Sequence, residues 1–490
     1  MGGQTPVRDW IADAAARHGD DVYLADARGK ATLTYAGLLD IVRETGRRLD
    51  EAGLPPGARV NVRLADPLDY ATALVALIAS GRVAVPLDPA APDSDIARVL
   101  GVARPAGMVT TRPAGSRGWG ADGGEATPPF GIASFDLAPV TSDSDGGGIF
   151  LCTSGTTGTP KGILLREQQL AHVATTVADW HRLSRADRGY CSLPLFHVNA
   201  EVVGVLATLR AGAYLAVDRK FSKRDFWKLI SEDRITWVNA VPAIISILSL
   251  NPPAQRPSRL RFVRSASAPL PLAALERFEQ ALGVPVIETY GMTEAASMIT
   301  ANPLDGPRKP GSAGRAAGSQ VRIGLPGEEP AAAGEVGRVL IRGGGVISAY
   351  ASGGRPGAID SDGWLDTGDL GYLDADGYLF LAGRSDDVIN RGGEKIYPRE
   401  IEEVLLAQPG VRSAAVIGAT DEVLGERPVA YVVAEGDAVA GGVEELMRAA
   451  CAQRLPRHKQ PSEFWLVDEM PLGPTGKISR RLLKESLAAR

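Results

Sequence analysis

The N-terminal part of the chain alternates between helical hydrophobic patterns and short apolar runs. Apolar residues recur at helical spacing over 7–18 and 35–53, which predicts two helices, and the largely apolar stretch 69–81 predicts a buried helix. The runs at 59–64 and 82–88 are short, apolar and rich in valine, which predicts strands. A strand–helix–strand order of this kind is typical of a mainly parallel sheet covered by helices. The pattern therefore predicts an α/β fold with βαβ-type layered sheets.

The pattern changes farther along the chain. Residues 111–148 are rich in glycine, proline, serine and aspartate, which predicts a long surface connection. Residues 321–350 combine glycine-rich turns with short alternating runs, which predicts a small antiparallel β-barrel or sandwich. Strands and helices then resume, including a helix predicted over 397–410. We therefore predict a large domain over 1–385, containing the antiparallel β-barrel subdomain, and a small α+β domain over 386–490.

Composition and charge narrow the classes of protein. A chain of 490 residues allows two to four domains at roughly 100–200 residues each. The formal net charge of −5 does not favour a nucleic-acid partner. Three widely spaced cysteines and five scattered histidines predict neither a disulfide framework nor a zinc site. An acidic N-terminal segment and the lack of an 18-residue apolar run predict no secretory signal, no membrane span and a cytoplasmic location.

The stretch TSGTTGTPKG, residues 153–162, combines glycines, hydroxyl side chains and one lysine after an apolar run that predicts a strand. The glycines allow several backbone amides to turn inward, and such a nest binds anions. The stretch lacks the Gly-Lys-Ser/Thr sequence of a phosphate-loop NTPase, so that class is excluded. The candidate phosphate-binding residues are Thr153, Ser154, Gly155, Thr156, Thr157 and Lys161.

Further motifs follow this loop in a fixed order along the chain. They are PLFHVN (194–199), SASAPL (265–270), ETYGMTE (288–294), WLDTGDLG (364–371), GRSDDVINRGGEKIYPREIE (383–402) and PLGPTGKISRR (471–481). Together with the loop, they resemble the adenylate-forming superfamily of acyl-CoA synthetases, peptide-synthetase adenylation domains and luciferases. The resemblance covers essentially the whole chain, and several segments are most similar to oxalate–CoA ligases and other synthetases for small acids.

The resemblance implies a reaction in two halves that uses ATP, Mg²⁺ and CoA. A carboxylate first attacks the α-phosphate of ATP, and magnesium, a lysine and backbone amides offset the repulsion between the two anions. The mobile small domain then rotates, and CoA accepts the acyl group. The positions that match the family's catalytic motifs are Lys477, Thr293, Glu294, which is also the magnesium ligand, and His197, which guards the acyl pocket.

The resemblance also implies residues for the nucleotide, the pantetheine arm and the hinge. Those for the adenine and ribose are Ala268, Pro269, Glu288, Thr289, Tyr290, Gly291, Asp369 and Arg384. Those for the pantetheine tunnel are Arg391, Gly392 and Gly393, and the hinge position is Asp386. Two successive glycines suit a tunnel because a side chain there would block it.

The acyl pocket implied by the resemblance is lined by small or polar side chains. They are Asn199, Val203, Val238, Asn239, Ser265, Met292 and Ser297. This lining predicts a small or medium carboxylic acid, polar acids included. Residues 198–201 read Val-Asn-Ala-Glu, where the oxalate–CoA ligase branch typically continues Val-His-Gly. If Glu201 faced the pocket, it would disfavour a second substrate carboxylate and favour an amine.

Alternative functions stay open at this point. A stand-alone adenylation enzyme would pass the activated group to a carrier protein in trans, to an amine or to another acceptor, or would activate an inorganic oxyanion such as nitrite. A non-catalytic nucleotide sensor on the same fold is disfavoured, because Lys161, Glu294, Asp369 and Lys477 are all present. We expect an acid, ATP and CoA as partners, and neither a nucleic acid nor a membrane.

Overall fold

The structure is a computed structural model of the chain, and it describes residues 6–29, 31–111, 128–135, 146–154, 160–325, 331–434, 442–472 and 478–488. The α-helices within these ranges are α1 Val7–His18, α2 Tyr35–Glu51, α3 Pro67–Ala79, α4 Asp93–Ala103, α5 Glu167–Trp180, α6 Ala207–Arg210, α7 Phe226–Glu232, α8 Pro242–Leu250, α9 Leu272–Leu282, α10 Pro398–Leu406, α11 Val443–Arg454 and α12 Arg480–Ala488. A π-helix, Asn199–Leu206, leads directly into α6.

The strands of the first half, in chain order, are β1 Val22–Asp26, β2 Thr32–Thr34, β3 Arg59–Val62, β4 Val83–Pro86, β5 Gly107–Thr111, β6 Phe130–Ser134, β7 Gly148–Ser154, β8 Pro160–Arg166, β9 Arg188–Cys191, β10 Tyr214–Val217, β11 Trp237–Ala240 and β12 Phe262–Ser265. Those of the second half are β13 Val286–Met292, β14 Ser297–Ala301, β15 Arg315–Ala316, β16 Ser319–Gly324, β17 Gly337–Gly343, β18 Leu365–Leu373, β19 Leu379–Arg384, β20 Ile389–Arg391, β21 Glu394–Ile396, β22 Val411–Asp421, β23 Gly425–Ala434 and β24 Glu463–Leu466.

Two large sheets form the body of the N-terminal domain, as the strand–helix–strand pattern predicts. One has the strand order β15-β14-β13-β12-β11-β9-β10-β1-β2, and its central strands are parallel. The other has the order β6-β5-β3-β4-β7-β8, with parallel pairing at its centre. Antiparallel strands stand at the edges of both sheets. The predicted mixed α/β fold is therefore confirmed.

Helix α3 lies between the two large sheets. All of its residues are buried, and it contacts β1 of one sheet and both β3 and β4 of the other. A helix that is apolar on every side is stable only inside a core, because it has no polar face to turn toward water. Its N-terminus is capped by Asp66, whose carboxylate accepts from the amides of Leu68 and Asp69. Because α3 buries the sides that face both sheets, it joins the two sheets into one core.

The connection predicted over 111–148 is partly a strand. β6 pairs antiparallel with β5, and Phe130 at its start is fully buried. The glycine- and proline-rich composition around it concealed a short apolar segment that extends the six-stranded sheet. The remainder of that predicted connection lies largely outside the described residues.

The antiparallel region predicted over 321–350 is confirmed as a four-stranded sheet of order β16-β17-β18-β19. It packs a small core of its own around Ile323, Val339 and Leu365. The strand order is linear, and no pairing between β16 and β19 is present among the described residues. The described part is thus an open antiparallel sheet, and closure into a barrel is not seen there.

The C-terminal region forms a small domain with its own sheet and core. The sheet has the order β21-β20-β23-β22, with β24 pairing in parallel with β23. Helices α10 and α11 pack on this sheet around Ile401, Leu405 and Met447. The predicted helix over 397–410 begins one residue later, at Pro398, because proline suits the first turn of a helix. In the described part of the chain, every helix is too short or too polar to cross a bilayer.

Candidate active site

The predicted phosphate-binding loop connects β7 and β8. These strands pair antiparallel, and Thr153 lies directly opposite Lys161. The strand predicted ahead of the loop is therefore confirmed, and Lys161 is the second residue of the returning strand. Gly155, Thr156 and Thr157 lie outside the described residues, as does Lys477.

Tyr350 connects Lys161 with Glu294, a link that sequence reasoning missed. The Ala351 amide donates to the Gly162 carbonyl at 2.9 Å, which brings Tyr350 beside the β8 strand. The Lys161 Nζ stands 5.5 Å from the centre of the Tyr350 ring, within cation–π range. The Tyr350 hydroxyl donates to Glu294 Oε1 at 3.1 Å. The order of the motifs held no signal for this residue, since its partners are distant in sequence.

Glu294 is buried on a short 3₁₀ turn, Thr293–Ala295, at the end of β13. Its Oε1 accepts from Tyr350, while Oε2 makes no hydrogen bond within the described residues. A hard carboxylate oxygen of this kind suits Mg²⁺, which commonly uses one or two protein carboxylates together with phosphates and waters. The described residues include no group of three or more His, Cys, Asp and Glu side chains placed to hold a metal ion alone. The donor set thus fits a magnesium ion shared with bound phosphates.

Tyr290 of the nine-stranded sheet meets Asp369 and Arg384 of the neighbouring antiparallel sheet. The Tyr290 hydroxyl donates to Asp369 Oδ2 at 2.5 Å, and Arg384 Nη1 lies 3.2 Å from Asp369 Oδ1. Burial and the Asp369 carboxylate raise the pKa of Tyr290 well above its usual value. Burial disfavours the charged form of Arg384, but the surrounding acidic groups reverse this effect and raise its pKa. Burial and the Glu294 carboxylate raise the pKa of Tyr350, and the charge of Arg384 partly opposes this shift. Tyr290 and Tyr350 also pack against the same small core, so the two groups of residues are neighbours.

Three of the six non-glycine residues with positive φ in the described part of the chain lie around these groups. Ser267, Ala296 and Ser297 have φ angles of 75°, 50° and 101°, a region that side-chain-bearing residues rarely occupy. Gly291 allows the close approach of β14 to β13, because a Cβ there would stand 1.6 Å from the Ser297 carbonyl oxygen. Such strain persists where the surrounding packing enforces it, and it is frequent at active sites. Ala268 and Pro269 follow Ser267 and are exposed at the rim.

Glu288 and Thr289 differ in where their side chains point. Thr289 Oγ1 donates to the Ser265 carbonyl at 3.0 Å, so it ties β13 to β12. The Glu288 carboxylate lines a separate cavity of about 140 Å³ with Arg308 and Lys309. Burial raises the pKa of Glu288 to about 7, although Arg399 at the start of α10 opposes this shift. The predicted contact of Glu288 with adenine stays a prediction, and its side chain lies beside the C-terminal domain.

The residues predicted for the acyl pocket lie around the start of the π-helix, which packs against β9 and β11. The centres of the His197 and Phe196 rings lie 4.7 Å apart with the ring planes tilted by 58°, and the His197 carbonyl accepts from the Ala200 amide at 2.9 Å. Met292 is half-buried, and the other pocket residues are buried: Asn199, Val203, Val238, Asn239, Ser265 and Ser297.

Arg264 was missed by sequence reasoning, although it lies among these pocket residues. It is buried on β12, and its Nη1 donates to Asn199 Oδ1 at 2.8 Å and to Asn239 Oδ1 at 3.1 Å. Its place directly before the motif SASAPL was the available signal, because an arginine in an apolar strand is rarely buried unless it has a polar partner or ligand.

The Glu201 carboxyl is fully buried away from this cluster. Both of its oxygens lack a hydrogen-bond partner in the described part of the chain, and burial raises its pKa well above the usual value. It lies near Tyr70 of α3, whose pKa it raises. Asn199 and Glu201 are two residues apart on a helix of more than four residues per turn, so they point to nearly opposite sides. The condition under which Glu201 would select an amine is therefore not met.

The predicted hinge and pantetheine residues lie at the start of the small domain. Asp386 is exposed on the 3₁₀ turn Ser385–Asp387 that follows β19. Gly392 and Gly393 form the tight turn between β20 and β21, with φ angles of 60° and 90° that favour glycine. Arg391 Nη1 donates to the His458 carbonyl at 2.7 Å. The turn geometry is clear, and the contact with pantetheine stays a prediction.

Two sequence families match this chain. Residues 11–351 match the family described as AMP-binding enzyme, and residues 400–477 match the AMP-binding enzyme C-terminal domain. A sulfoacetate–CoA ligase of Cupriavidus necator is 38% identical, covering 96% of this chain and 96% of that protein. An oxalate–CoA ligase of Arabidopsis thaliana is 34% identical, covering 93% of this chain and 94% of that protein.

Solved structures agree with these sequence relatives. ATP-bound MatB from Rhodopseudomonas palustris matches with a TM-score of 0.84 and 26% identity, covering 98% of this chain and 99% of that one. The o-succinylbenzoate CoA synthetase of Bacillus subtilis, in complex with its acyl-adenylate intermediate, matches with a TM-score of 0.82 and 27% identity, covering 98% of both chains. The chain therefore belongs to the AMP-binding enzyme family and is an AMP-forming ligase of the acyl-CoA synthetase type.

Proposed function

We propose that the protein activates a small carboxylic acid with ATP and transfers the acyl group to CoA, with the residues of this site in defined roles. In the first step, a carboxylate oxygen bonds to the α-phosphorus of ATP, the bond from that phosphorus to the bridging oxygen breaks, and pyrophosphate leaves. In the second step, the CoA sulfur bonds to the acyl carbon, the bond from that carbon to the AMP oxygen breaks, and AMP leaves. The thiol proton passes to water.

The convergence of Lys161, Tyr350 and Glu294 with the Tyr290–Asp369–Arg384 group is the observation that supports this proposal best. Adenine and ribose are joined by a single bond, so residues that recognise them must be neighbours. Tyr290 would lie against the adenine ring, and the Asp369 carboxylate would accept from both ribose hydroxyls, because its two oxygens are acceptors only.

The phosphates would then extend toward the β7–β8 loop. Lys161 would orient the β- and γ-phosphates, while Thr293 would contact the α-phosphate. Glu294 would bind the magnesium ion, which supplies charge neutralisation at the phosphates. Tyr350 holds the Glu294 carboxylate and contacts Lys161, so it would keep these two charged groups in register.

Lys477 would bridge the acid's carboxylate and the α-phosphate during the first step. For the second step, the small domain would rotate about Asp386 and bring Gly392 and Gly393 to the pantetheine arm. A domain movement of this kind separates two reactions that need different groups at one place. The two glycines are exposed and carry no side chain, which suits a tunnel wall.

The polarity of the residues predicted for the acyl pocket supports a small acid. Asn199, Asn239 and Ser265 are polar and buried, and Val203 and Val238 add limited apolar surface. The relatives named for sulfoacetate and oxalate also act on short acids, which supports the same class here.

A screen of pyrophosphate release tests the proposal. The purified protein, with ATP and Mg²⁺, would be supplied with carboxylic acids of two to about six carbons, with and without CoA. We expect release that depends on the acid and AMP formation that rises when CoA is added. Turnover that needs no CoA would redirect attention to a carrier protein, an amine or another acceptor, and turnover with nitrite in place of an acid would indicate an oxyanion substrate.

A further inference from the structure

A buried polar cluster stands at the carboxyl edge of the nine-stranded sheet. Asn239 and Arg264 are the penultimate residues of the parallel strands β11 and β12 and lie side by side in register. Asn199, at the start of the π-helix, reaches the same guanidinium. Ligands of open α/β sheets bind beyond the carboxyl ends of the strands. The Asn199–Asn239–Arg264 cluster is therefore placed to form the end wall of the predicted acyl pocket. Asn199 lies two residues after His197 in the chain.

The groups of this cluster that remain without a hydrogen-bond partner in the described structure are donors. Arginine cannot accept a hydrogen bond, so the bonds from its Nη1 establish that both amide oxygens face Arg264. Both oxygens then accept from Arg264, and Asn199 Oδ1 also accepts from Asn239 Nδ2 at 3.5 Å. The Nδ2 group of Asn199 has no partner in the described part of the structure. The Nε group of Arg264 also lacks one. A buried donor without an acceptor costs free energy, and a substrate that supplies an acceptor would remove that cost.

The charge of Arg264 has no counterion within the described residues. Its side chain is 1% exposed and forms no ion pair with any described carboxylate. The titratable groups that face it are Cys191 and His181. Burial raises the pKa of the Cys191 thiol to about 11 and lowers that of His181 to about 3, so both are uncharged at neutral pH. Burial also lowers the pKa of Arg264 to about 9, which leaves it protonated near pH 7.

We infer that the Asn199–Asn239–Arg264 cluster binds a second anionic group on the substrate, a carboxylate or a sulfonate at the end of a short acid opposite the carboxylate that is activated. This inference rests on the proposed function and names its substrate class. A buried cation that is paired only with neutral amide oxygens gains most from an anion, because attraction in a poorly solvated site is little screened. Glu201 points toward Tyr70 of α3 and away from the cluster, and burial disfavours its charged form.

Steady-state kinetics with size-matched acids tests the inference. Malonate, succinate and sulfoacetate carry a second anion, butanoate carries a methyl group, and β-alanine carries an ammonium group at the far end. We expect kcat/KM for pyrophosphate release to be at least about tenfold higher for an anionic member than for butanoate or β-alanine. The three anionic acids separate a carboxylate from a sulfonate preference.

Two variants assign the preference to Arg264. In Arg264→Gln, the ratio of kcat/KM between the anionic acid and butanoate should fall at least about tenfold, while the KM for ATP stays within about twofold. In Asn199→Asp, an adjacent carboxylate neutralises Arg264, and the preference should move toward β-alanine. The matched control is Arg261→Gln, because Arg261 lies three residues earlier and pairs with Asp187 outside the cluster.

The outcomes separate the two levels of the argument. A kcat/KM for butanoate or β-alanine equal to that for the anionic acids would overturn the anion site and leave acid activation intact. Arg264→Gln or Asn199→Asp with an unchanged acid preference and normal thermal unfolding would also overturn it. If Arg264→Gln does not fold, the wild-type panel and Asn199→Asp decide the question. Absence of pyrophosphate release with every acid would instead count against the proposed function itself.

Discussion

The hydroxyl of Tyr290 donates a 2.5 Å hydrogen bond to the carboxylate of Asp369, although the two residues are 79 positions apart in the chain. Tyr290 belongs to β13 of the nine-stranded sheet, and Asp369 belongs to β18 of the antiparallel sheet. The bond therefore joins two sheets at the site, and Arg384 on β19 holds the other carboxylate oxygen. In our proposal, this contact aligns the surface for adenine with the acceptors for ribose.

Replacement of Asp369 should weaken ATP binding far more than removal of the tyrosine hydroxyl. Asp369→Asn keeps one acceptor oxygen and loses the charge, so we expect the KM for ATP to rise at least about tenfold. Tyr290→Phe keeps the ring face, so its KM for ATP should change less than about threefold. Initial rates of pyrophosphate release at varied ATP measure both values. Equal effects of the two substitutions would contradict separate adenine and ribose roles.

Tyr350→Phe tests the link between Lys161 and Glu294. Without the hydroxyl, Glu294 loses its hydrogen bond, so the magnesium concentration for half-maximal rate should rise several-fold and kcat should fall about tenfold. The KM for the acid should stay unchanged. Tyr214→Phe is the matched control. The Tyr214 hydroxyl also donates to a carboxylate, that of Asp233, but Tyr214 lies on β10 and is not one of the proposed site residues. If both variants behave alike, Tyr350 has only a structural role.

Glu288 should make stability depend on pH near neutrality. Its pKa is raised from 4.5 to about 7, so between these values the folded protein holds a proton that the unfolded chain has lost. The free energy of unfolding therefore falls as pH rises from about 4.5 to 7, by up to about 3 kcal/mol, and is constant with respect to this group above that range.

Glu288→Gln removes this titration. The free energy of unfolding of the variant relative to the wild type should therefore rise between about pH 4.5 and 7. Denaturant unfolding at about pH 5, 6, 7 and 8 measures the difference in unfolding free energy between the variant and the wild type. Glu276→Gln on the exposed face of α9 serves as the control. A constant difference between Glu288→Gln and the wild type at all four pH values would show that Glu288 has an ordinary pKa.

The two half-reactions should separate by mutation. Lys477→Ala should abolish formation of the acyl-adenylate and spare thioester formation from supplied acyl-adenylate, because in our proposal the lysine acts only in the first step. Equal loss of both steps would contradict the two-state cycle. Rapid-quench assays of each half-reaction provide the measurement.

Gly393→Trp should do the reverse, because its side chain would fill the pantetheine tunnel. Gly393→Ala is the matched control, since it meets the same positive φ of 90° without the bulk. Unaltered CoA turnover in Gly393→Trp would count against the tunnel assignment.

Much of the fold could be predicted because the hydrophobic period records which side of an element is buried. The helix predicted over 35–53 is observed as Tyr35–Glu51, and the all-apolar pattern at 69–81 correctly indicated a helix inside the core. Strand β6 was missed, because a five-residue edge strand in a glycine-rich stretch has too few positions to show a period.

Only those residues of the candidate site that lie within a recognised motif could be predicted from the sequence. Asp369 and Arg384 were both selected and are in contact. Tyr350 and Arg264 were missed, because their importance depends on partners in other segments. The orientation of Glu201 was undecidable from the sequence, since the π-helix changes the angle between successive side chains.

The sequence by itself determined the layered α/β fold and the family, because hydrophobic period and motif order are local properties of the chain. Only the tertiary structure decided which side chains meet. It placed Tyr290 on Asp369 and Tyr350 on Glu294, and it turned Asn199 toward Arg264. These contacts join segments that are far apart in the chain, so they depend on how the elements pack and on which buried polar atoms must satisfy one another.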